Sequence, residues 1–408
     1  MTVWTAVGDA LFLLAAVPIA YSLAAMLIGQ EFFSGPKRSA AGEPPAPEFT
    51  PPISILKPIR GLDRETYENY ASFCRQDYPE FEILFCVTDD ADPAVPVIRQ
   101  LIRDFSGRNF TGRDFSGRDF PQRTIRLLVG AEPLGASDKV NKLCRMGREA
   151  QNEALIVSDS DVRVAAGFLA AVAAPFADPK VGGVTCLYRG CTDGCFAADL
   201  EALGNSADFA PGVLVARMFA GRKLDFMLGA VMVTTKKQLA EILGFESLVD
   251  YFCDDYELGN RIAAHGRRVE LSPFPVDIVY PREPLGEAFR HQVRWNLSIR
   301  FSRPGGHFGL LFTHGLPWAI LGIALAHSWA GTFFFVGGYC LLRYEVALGT
   351  GARGMGDSLV RRKPWMLPLR DLFAFVVWLA SFFPQTIRWR DREFHVREKR
   401  LVPVSKPR

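Results

Sequence analysis

A chain of 408 residues with 49% hydrophobic content has material for two or more domains and for apolar segments beyond a soluble core. Its 47 Lys and Arg against 44 Asp and Glu leave a net charge of +3, too small to argue for a nucleic-acid partner. The eight cysteines include no paired CxxC, and Cys191 and Cys195 lack two further ligands at useful spacing. Buried thiols in a reducing cytosol are therefore expected.

Residues 6 to 28 are apolar except for Asp9 near their start, and about 20 such residues cross a bilayer as a helix. No basic stretch precedes them and no convincing cleavage site follows, so residues 1–30 read as a retained anchor rather than a removed signal. Lys37 and Arg38 follow the segment, which by the positive-inside rule places the next domain in the cytoplasm. A Pro-rich linker fills out residues 31–52.

From residue 53 the chain alternates short apolar runs with helical patterns. Runs at 53–57, 82–87, 125–129 and 154–157 read as buried strands, and 64–76, 94–105 and 139–150 as helices. Such alternation predicts an α/β domain over 53–300 with a mostly parallel sheet covered on both faces. Ligands of such sheets bind beyond the carboxyl ends of the strands, and two acidic motifs, at 89–92 and 159–161, fall at such ends. Between a helix and the third strand, residues 104–123 repeat DFSGR, NFTGR, DFSGR and DFPQR, expected to be a duplicated surface loop.

Beyond residue 300 come apolar stretches at about 308–326, 330–347 and 372–387, giving a region 301–390 of transmembrane or interfacial helices before a basic tail, 391–408. Basic groups gather at Arg361-Arg362-Lys363 and through Arg388 to Arg400. If all four apolar stretches spanned, these two groups would lie on opposite sides, which the positive-inside rule disfavours. The partner expected for such groups is anionic lipid.

The polar residues carry a coherent chemistry. Asp159-Ser160-Asp161 places two carboxylates at i and i+2 at a strand end, where oxygen ligands suit Mg²⁺ or Mn²⁺ bridging a diphosphate. Asp89 and Asp92 are candidates to accept hydrogen bonds from a nucleotide, although Asp92 also fits a helix cap before Pro93. Lys139 and Asn141 begin the helix before the D-x-D strand, where a lysine can reach a phosphate. Asp254 and Asp255 open a helical stretch among aromatics, and partial desolvation would raise a carboxyl pKa toward that of a general base. Glu246 and Asp250 are reserves, and His265 and His291 read as helix-end residues. Arg294-Trp295 offers a cation beside an indole, able to hold a diphosphate leaving group.

Taken in order, Ile55-Leu-Lys-Pro58, Asp77-Tyr-Pro79, Asp89 to Asp92, Asp159-Ser-Asp161, Asp254-Asp-Tyr256 and His291-Gln-Val-Arg-Trp295 resemble the ceramide glucosyltransferase family, a membrane-bound branch of the inverting GT-A glycosyltransferases. The resemblance spans about residues 50–300 and the hydrophobic flanks. It implies a UDP-sugar donor, a divalent metal at Asp159 and Asp161, and transfer to a lipid hydroxyl at the cytosolic membrane face. It carries the first family aspartate onto Asp92 (with Asp89), the second onto Asp159, and the base onto Asp255. The catalytic Arg-Trp falls on Arg294 and Trp295, and His291 stands where that motif usually begins with Gln or Arg, at the donor diphosphate or acceptor. Bacterial enzymes of similar pattern glycosylate hopanoids, and the motifs do not separate the two acceptors. A processive polysaccharide synthase shares the acids but needs more membrane helices, and a membrane scaffold would bind no UDP-sugar.

Overall fold

The computed structural model describes residues 3–35, 49–106, 123–383, 386–389 and 392–404. Most of the repeat at 104–123 lies outside the described residues. Two compact units interleave along the chain. An α/β unit comprises Pro36–Tyr188, Lys223–Pro281 and Thr386–Arg408, and a helical unit comprises Met1–Gly35, Arg189–Arg222 and Arg282–Gln385. Residues 189–222 and 282–300, grouped by sequence with the α/β domain, thus belong with the apolar helices, whereas the basic tail belongs with the α/β unit.

The large sheet contains β1 (Ile53–Pro58), β2 (Phe81–Val87), β3 (Thr124–Val129), β4 (Ala154–Ser158), β5 (Val162–Arg163), β6 (Val181–Cys191), β7 (Val231–Thr235) and β8 (Arg268–Val279), in the order β3-β2-β1-β4-β7-β6-β8-β5. The first four strands run parallel, and β2 and β4 are buried along their whole length, as strands covered on both faces must be. Helices Thr66–Cys74, Val95–Ser106 and Asp138–Glu149 fall where the sequence places them.

The expectation of a mostly parallel sheet is corrected at β4. Its other neighbour, β7, is antiparallel, as are the β6–β7 and β5–β8 pairs, so the sheet is mixed. Apolar runs mark a strand but not its direction, and helices separate β5, β6, β7 and β8 along the chain as they do the parallel strands, so alternation alone does not reveal the antiparallel pairing.

The helical unit includes Val3–Ala15, Val17–Phe33, Phe196–Gly204, Ala210–Phe219, Leu285–Ser302, Gly315–Leu325, Trp329–Val346 and Leu367–Ala380. Val7–Phe33, near the N-terminus, is the one described helix long and apolar enough to cross a bilayer by itself. Pro304–Thr313 and Gly315–Leu325 qualify only as a pair, bent by 54° at their junction. Trp329–Val346 carries Arg343 and Glu345 near its end, and Leu367–Ala380 has only 14 residues with Arg370 and Asp371 among them, so neither qualifies. By length and composition one described helix, or two if the bent pair counts as one span, meets the requirement, fewer than the four apolar stretches of the sequence.

The helix Asp254–Ala264 is held close to its neighbour by Gly259. A Cβ at that position would lie 2.4 Å from both the backbone N of Met227 and the backbone C of Phe226. Backbone cannot give way as a side-chain tip can. Gly259→Ala should therefore destabilise the protein by about 1–3 kcal/mol, the usual cost of overpacking, read as a lowered Tm in thermal unfolding. An unchanged Tm would show that the approach is not a constraint.

Candidate active site

Three elements of the α/β unit bring their charged residues to one place. Asp159 follows β4, and its N–H donates to the Ala230 carbonyl just before β7, 3.3 Å away. Lys139 lies in the first turn of helix Asp138–Glu149, whose Ser137 N-cap accepts from the Val140 N–H. Asp254 and Asp255 lie in the first turn of helix Asp254–Ala264, where acids complement the helix dipole. The Lys139 ammonium bridges the elements, 3.1 Å from Asp159 Oδ1 and 3.2 Å from Asp254 Oδ2. Gly229 closes the group. A Cβ there would stand 3.0 Å from Asp255 Oδ2 and 3.9 Å from Asp159 Oδ2, so both carboxylates face one small opening kept free by a missing side chain.

The electrostatics follow from this crowding. Burial, then Asp254, pushes the Asp255 carboxyl up to about 6, with Lys139 opposing. Burial also pushes Asp161 up to about 7, reinforced by Asp159 and Asp63. For Lys139 burial opposes the charge, but Asp159, Asp254 and Asp255 outweigh it and raise its pKa. Beneath them Lys57, fully buried in β1, donates to the Asp159 carbonyl at 2.9 Å and lies 3.8 Å from the centre of the Phe73 ring. Burial lowers its pKa to about 7 despite Asp159 and Asp161. Lys57 has no role assigned from sequence, where its signal is a cation interrupting a mostly apolar strand.

The other expected residues separate into several settings. Asp92 is committed to backbone: its two oxygens accept from the Gly61 N–H at 3.1 and 2.9 Å, and Oδ1 also from Ala94, the capping role open to it from sequence. Asp89 is exposed and accepts from the Ala91 N–H. Asn141 clamps Gly135, accepting from its N–H and donating to its carbonyl. Asp250 accepts from the Ala136 N–H, and the Ser137 N–H donates to Val249, so the loop before Lys139 is tied to the chain before Asp254. His265 lies at a helix end against the Arg261 carbonyl, as expected.

His291, Arg294 and Trp295 belong to helix Leu285–Ser302 of the helical unit. His291 Nδ1 is 2.5 Å from Oε1 of Glu201, which is fully buried, and its ring meets Trp295 edge-on at 4.8 Å. Gln292 donates to the same Glu201 oxygen and accepts from Arg370. Glu201, Glu283 and His291 offer potential metal-ligand atoms within 4.8 Å of one another. Burial and then Glu201 raise the Glu283 carboxyl, with His291 opposing. Sequence reasoning missed Glu201, although a lone glutamate in the apolar helix Phe196–Gly204 needs a partner.

Asp159 and Asp161 fit a hard divalent cation: both are oxygen donors at a strand end, and the raised Asp161 carboxyl marks negative charge that a cation would relieve. Lys139 performs part of that task alone. Lys139→Ala should destabilise the metal-free protein by about 2 kcal/mol at neutral pH, because like charges lose their buried partner. The effect should shrink as pH falls through about 6, where Asp255 takes up a proton and stops repelling its neighbours. Melting curves across pH for the two proteins check this; a loss of stability independent of pH would contradict it.

Comparison with known proteins places the chain. The family described as glycosyl transferase family 21 matches residues 10–112 and 114–402. The chain is 25% identical to "Ceramide glucosyltransferase 3" of Caenorhabditis elegans over 85% of this chain and 73% of that protein. It is 28% identical to "Ceramide glucosyltransferase 1" of the same organism over 55% of this chain, spanning 45% of that protein. Among solved structures, "Mannosyltransferase PcManGT from Pyrobaculum calidifontis in complex with GDP-Man and Mn2+" is similar at 18% identity and a TM-score of 0.49, over 90% of this chain and 99% of that one, a likeness too loose to argue from. The match along almost the whole chain bears out the resemblance read from the motifs: this glycosyltransferase belongs to glycosyl transferase family 21.

Proposed function

We propose that the protein transfers a single sugar from a UDP-sugar to the hydroxyl of a ceramide-type membrane lipid, with inversion, on a GT-A-type fold at the cytosolic membrane face. The observation that carries the reading is the opening at Gly229, where Asp159, at the end of a parallel strand, and Asp255, at a helix N-terminus, face each other beside Lys139. Asp255, with its carboxyl pushed up to about 6, has the affinity for protons that a general base needs near neutral pH. It accepts the proton of the lipid hydroxyl as that oxygen bonds to the anomeric carbon from the face opposite UDP, and the bond from that carbon to the diphosphate oxygen breaks. Asp159 and Asp161 would hold a divalent cation (Mg²⁺ or Mn²⁺), which when bound would supply neutralising charge for the leaving diphosphate. Lys139 adds a positive charge at the same end of the sheet. Asp89, Asp92 and His291 at the donor, and Arg294 with Trp295 at the diphosphate, remain assignments from the motif resemblance. Hopanoid glycosylation uses the same chemistry with another lipid.

Membrane attachment fits the chain path. Large apolar side chains on the helical unit face outward, Phe383 at 82%, Trp329 at 79% and Leu13 at 71% exposure, which an aqueous surface would disfavour. Both the chain before residue 282 and the hairpin beyond residue 385 belong to the α/β unit, so residues 282–385 leave one side of the bilayer and return to it. They therefore cross an even number of times. A bent pair such as Pro304–Leu325 then dips in and out or is matched by a second crossing.

Asp255→Asn should lower kcat by about 10²- to 10⁴-fold while UDP-sugar binding by calorimetry in detergent stays within a factor of about two. In the wild type kcat should fall as pH drops through about 6, since protonation removes the base, and this limb should vanish in the variant. Mass spectrometry of lipids from expressing cells names the sugar and the acceptor; near wild-type product from Asp255→Asn, or long saccharides, would overturn the reading. Protease-cleavable tags inserted beside Lys37 and appended after Arg408 should be cut from the same face of sealed vesicles, and cleavage from opposite faces would refute the even crossing.

A further inference from the structure

The basic tail was expected to meet lipid, but two of its cations are otherwise engaged. Thr386–Trp389, Arg392–Arg397 and Arg400–Pro403 form a small antiparallel sheet of the α/β unit. Between the last two strands Glu398 and Lys399 both take positive φ, 49° and 66°, the pair of left-handed residues that a tight hairpin turn requires. Non-glycine residues adopt that conformation at a cost, so surrounding contacts must hold it.

Those contacts lie on the chain that carries Asp254 and Asp255. The Phe252 N–H donates to the Lys399 carbonyl at 3.0 Å, the Leu401 N–H donates to the Asp250 carbonyl at 2.7 Å, and Tyr251 pairs with Arg400 as an antiparallel bridge. On the far side of the acids the Lys399 ammonium reaches Glu257 Oε1 at 3.1 Å and lies 5.1 Å from the centre of the Tyr256 ring. Tyr256 stacks in turn on Phe226, at 6.3 Å and 14°. Arg400 lies over the Tyr251 ring at 5.2 Å. The hairpin turn therefore grips residues 250–252 by backbone and 256–257 by side chain, bracketing the two acids without touching them.

We propose that this C-terminal hairpin is a brace for the catalytic loop, with Lys399 a positioning residue that sets the first turn of helix Asp254–Ala264, and hence the Asp255 carboxylate, for proton transfer. The proposal rests on Asp255 acting as the base. The backbone bonds fix where the loop enters the helix, and the Lys399–Glu257 pair fixes the rotation of its first turn. A base displaced by a fraction of an ångström binds donor unchanged yet transfers a proton poorly, so a brace is felt in kcat and not in donor affinity.

The test uses the whole chain in detergent with UDP-glucose as donor and ceramide as acceptor. Lys399→Ala should lower kcat about fivefold, the size of effect a partly exposed ion pair can carry, with the Kd for UDP-sugar within about twofold. Lys399→Arg, keeping the charge, should recover at least half of the loss. Because the pair acts through Glu257, Glu257→Gln combined with Lys399→Ala should be no slower than the slower single variant. Unchanged kcat in Lys399→Ala, failure of arginine to rescue, or a fall in donor affinity matching the fall in kcat would each overturn the brace. Asp255→Asn separates the two readings. Full activity in that variant alongside a slow Lys399→Ala sinks the base assignment, whereas a dead Asp255→Asn alongside a normal Lys399→Ala sinks the brace alone.

Discussion

The α/β unit is organised around an excess of negative charge that the Lys139 ammonium bridges from the side and Lys57 from below. Asp159 and Asp254 both lie within about ion-pair distance of Lys139, and Asp255 and Asp161 crowd in behind them. Like charges about 4 Å apart repel by roughly 4 kcal/mol at the effective dielectric of a protein surface. Burial first, and then the repulsion that Lys139 and Lys57 leave uncancelled, push the Asp161 and Asp255 carboxyls up. Such a site is poorly balanced when empty and improves when positive charge enters. Such an imbalance is the pattern by which functional sites depart from the rules that govern the rest of a fold.

The mixed sheet explains how the crowding is imposed. A wholly parallel sheet would follow β4 with a helix and leave its carboxyl end open on both sides. Here β7 runs back alongside β4, so the turn that leads into it, Gly229-Ala230, lies against Asp159 and is pinned to it by the Asp159 N–H. The change of direction at β4 creates a wall where an α/β sheet otherwise has a crevice. It is also why a glycine is needed: the wall passes 3.0 Å (to a virtual Cβ) from Asp255. Lys57, donating from β1 to the Asp159 carbonyl, fixes the same strand end from below.

Much of this was legible in the residues, and what was not has a physical reason. Local pattern located β1 to β4, their helices, and the acids at the strand ends, because buried strands and helix starts announce themselves within a few residues. Lys139 could be placed at a helix start but not paired, since its partners lie 20 and 115 residues further on and only the fold brings them near. Gly229 was invisible for the same reason: a glycine matters through what approaches it. The tail read as a lipid-seeking basic cluster because charge can be counted from sequence, whereas the positive φ of Glu398 and Lys399 that turns it back cannot. Asp92 shows the converse, a residue whose capping geometry was predictable from Pro93 alone.

The helical unit buries paired charges beside apolar clusters such as Ala15, Trp318 and Phe335, and that is what made its segments hard to count. Arg343 pairs with Asp371 and Asp208, Arg370 pairs with Asp208 and reaches Gln292 on the motif helix, and Tyr339 donates to Asp371, all among helices whose outer faces are apolar. Charges in apolar surroundings persist only when paired, and removing one partner leaves the other stranded, so the helices that bear them are held to one arrangement. Arg343 is also one of the two charges that lower the hydropathy of Trp329–Val346, whereas Leu367–Ala380 falls short of a span by its 14 residues. A segment's apolarity measures what it would cost to bury the helix by itself, and these helices bury their charges against one another.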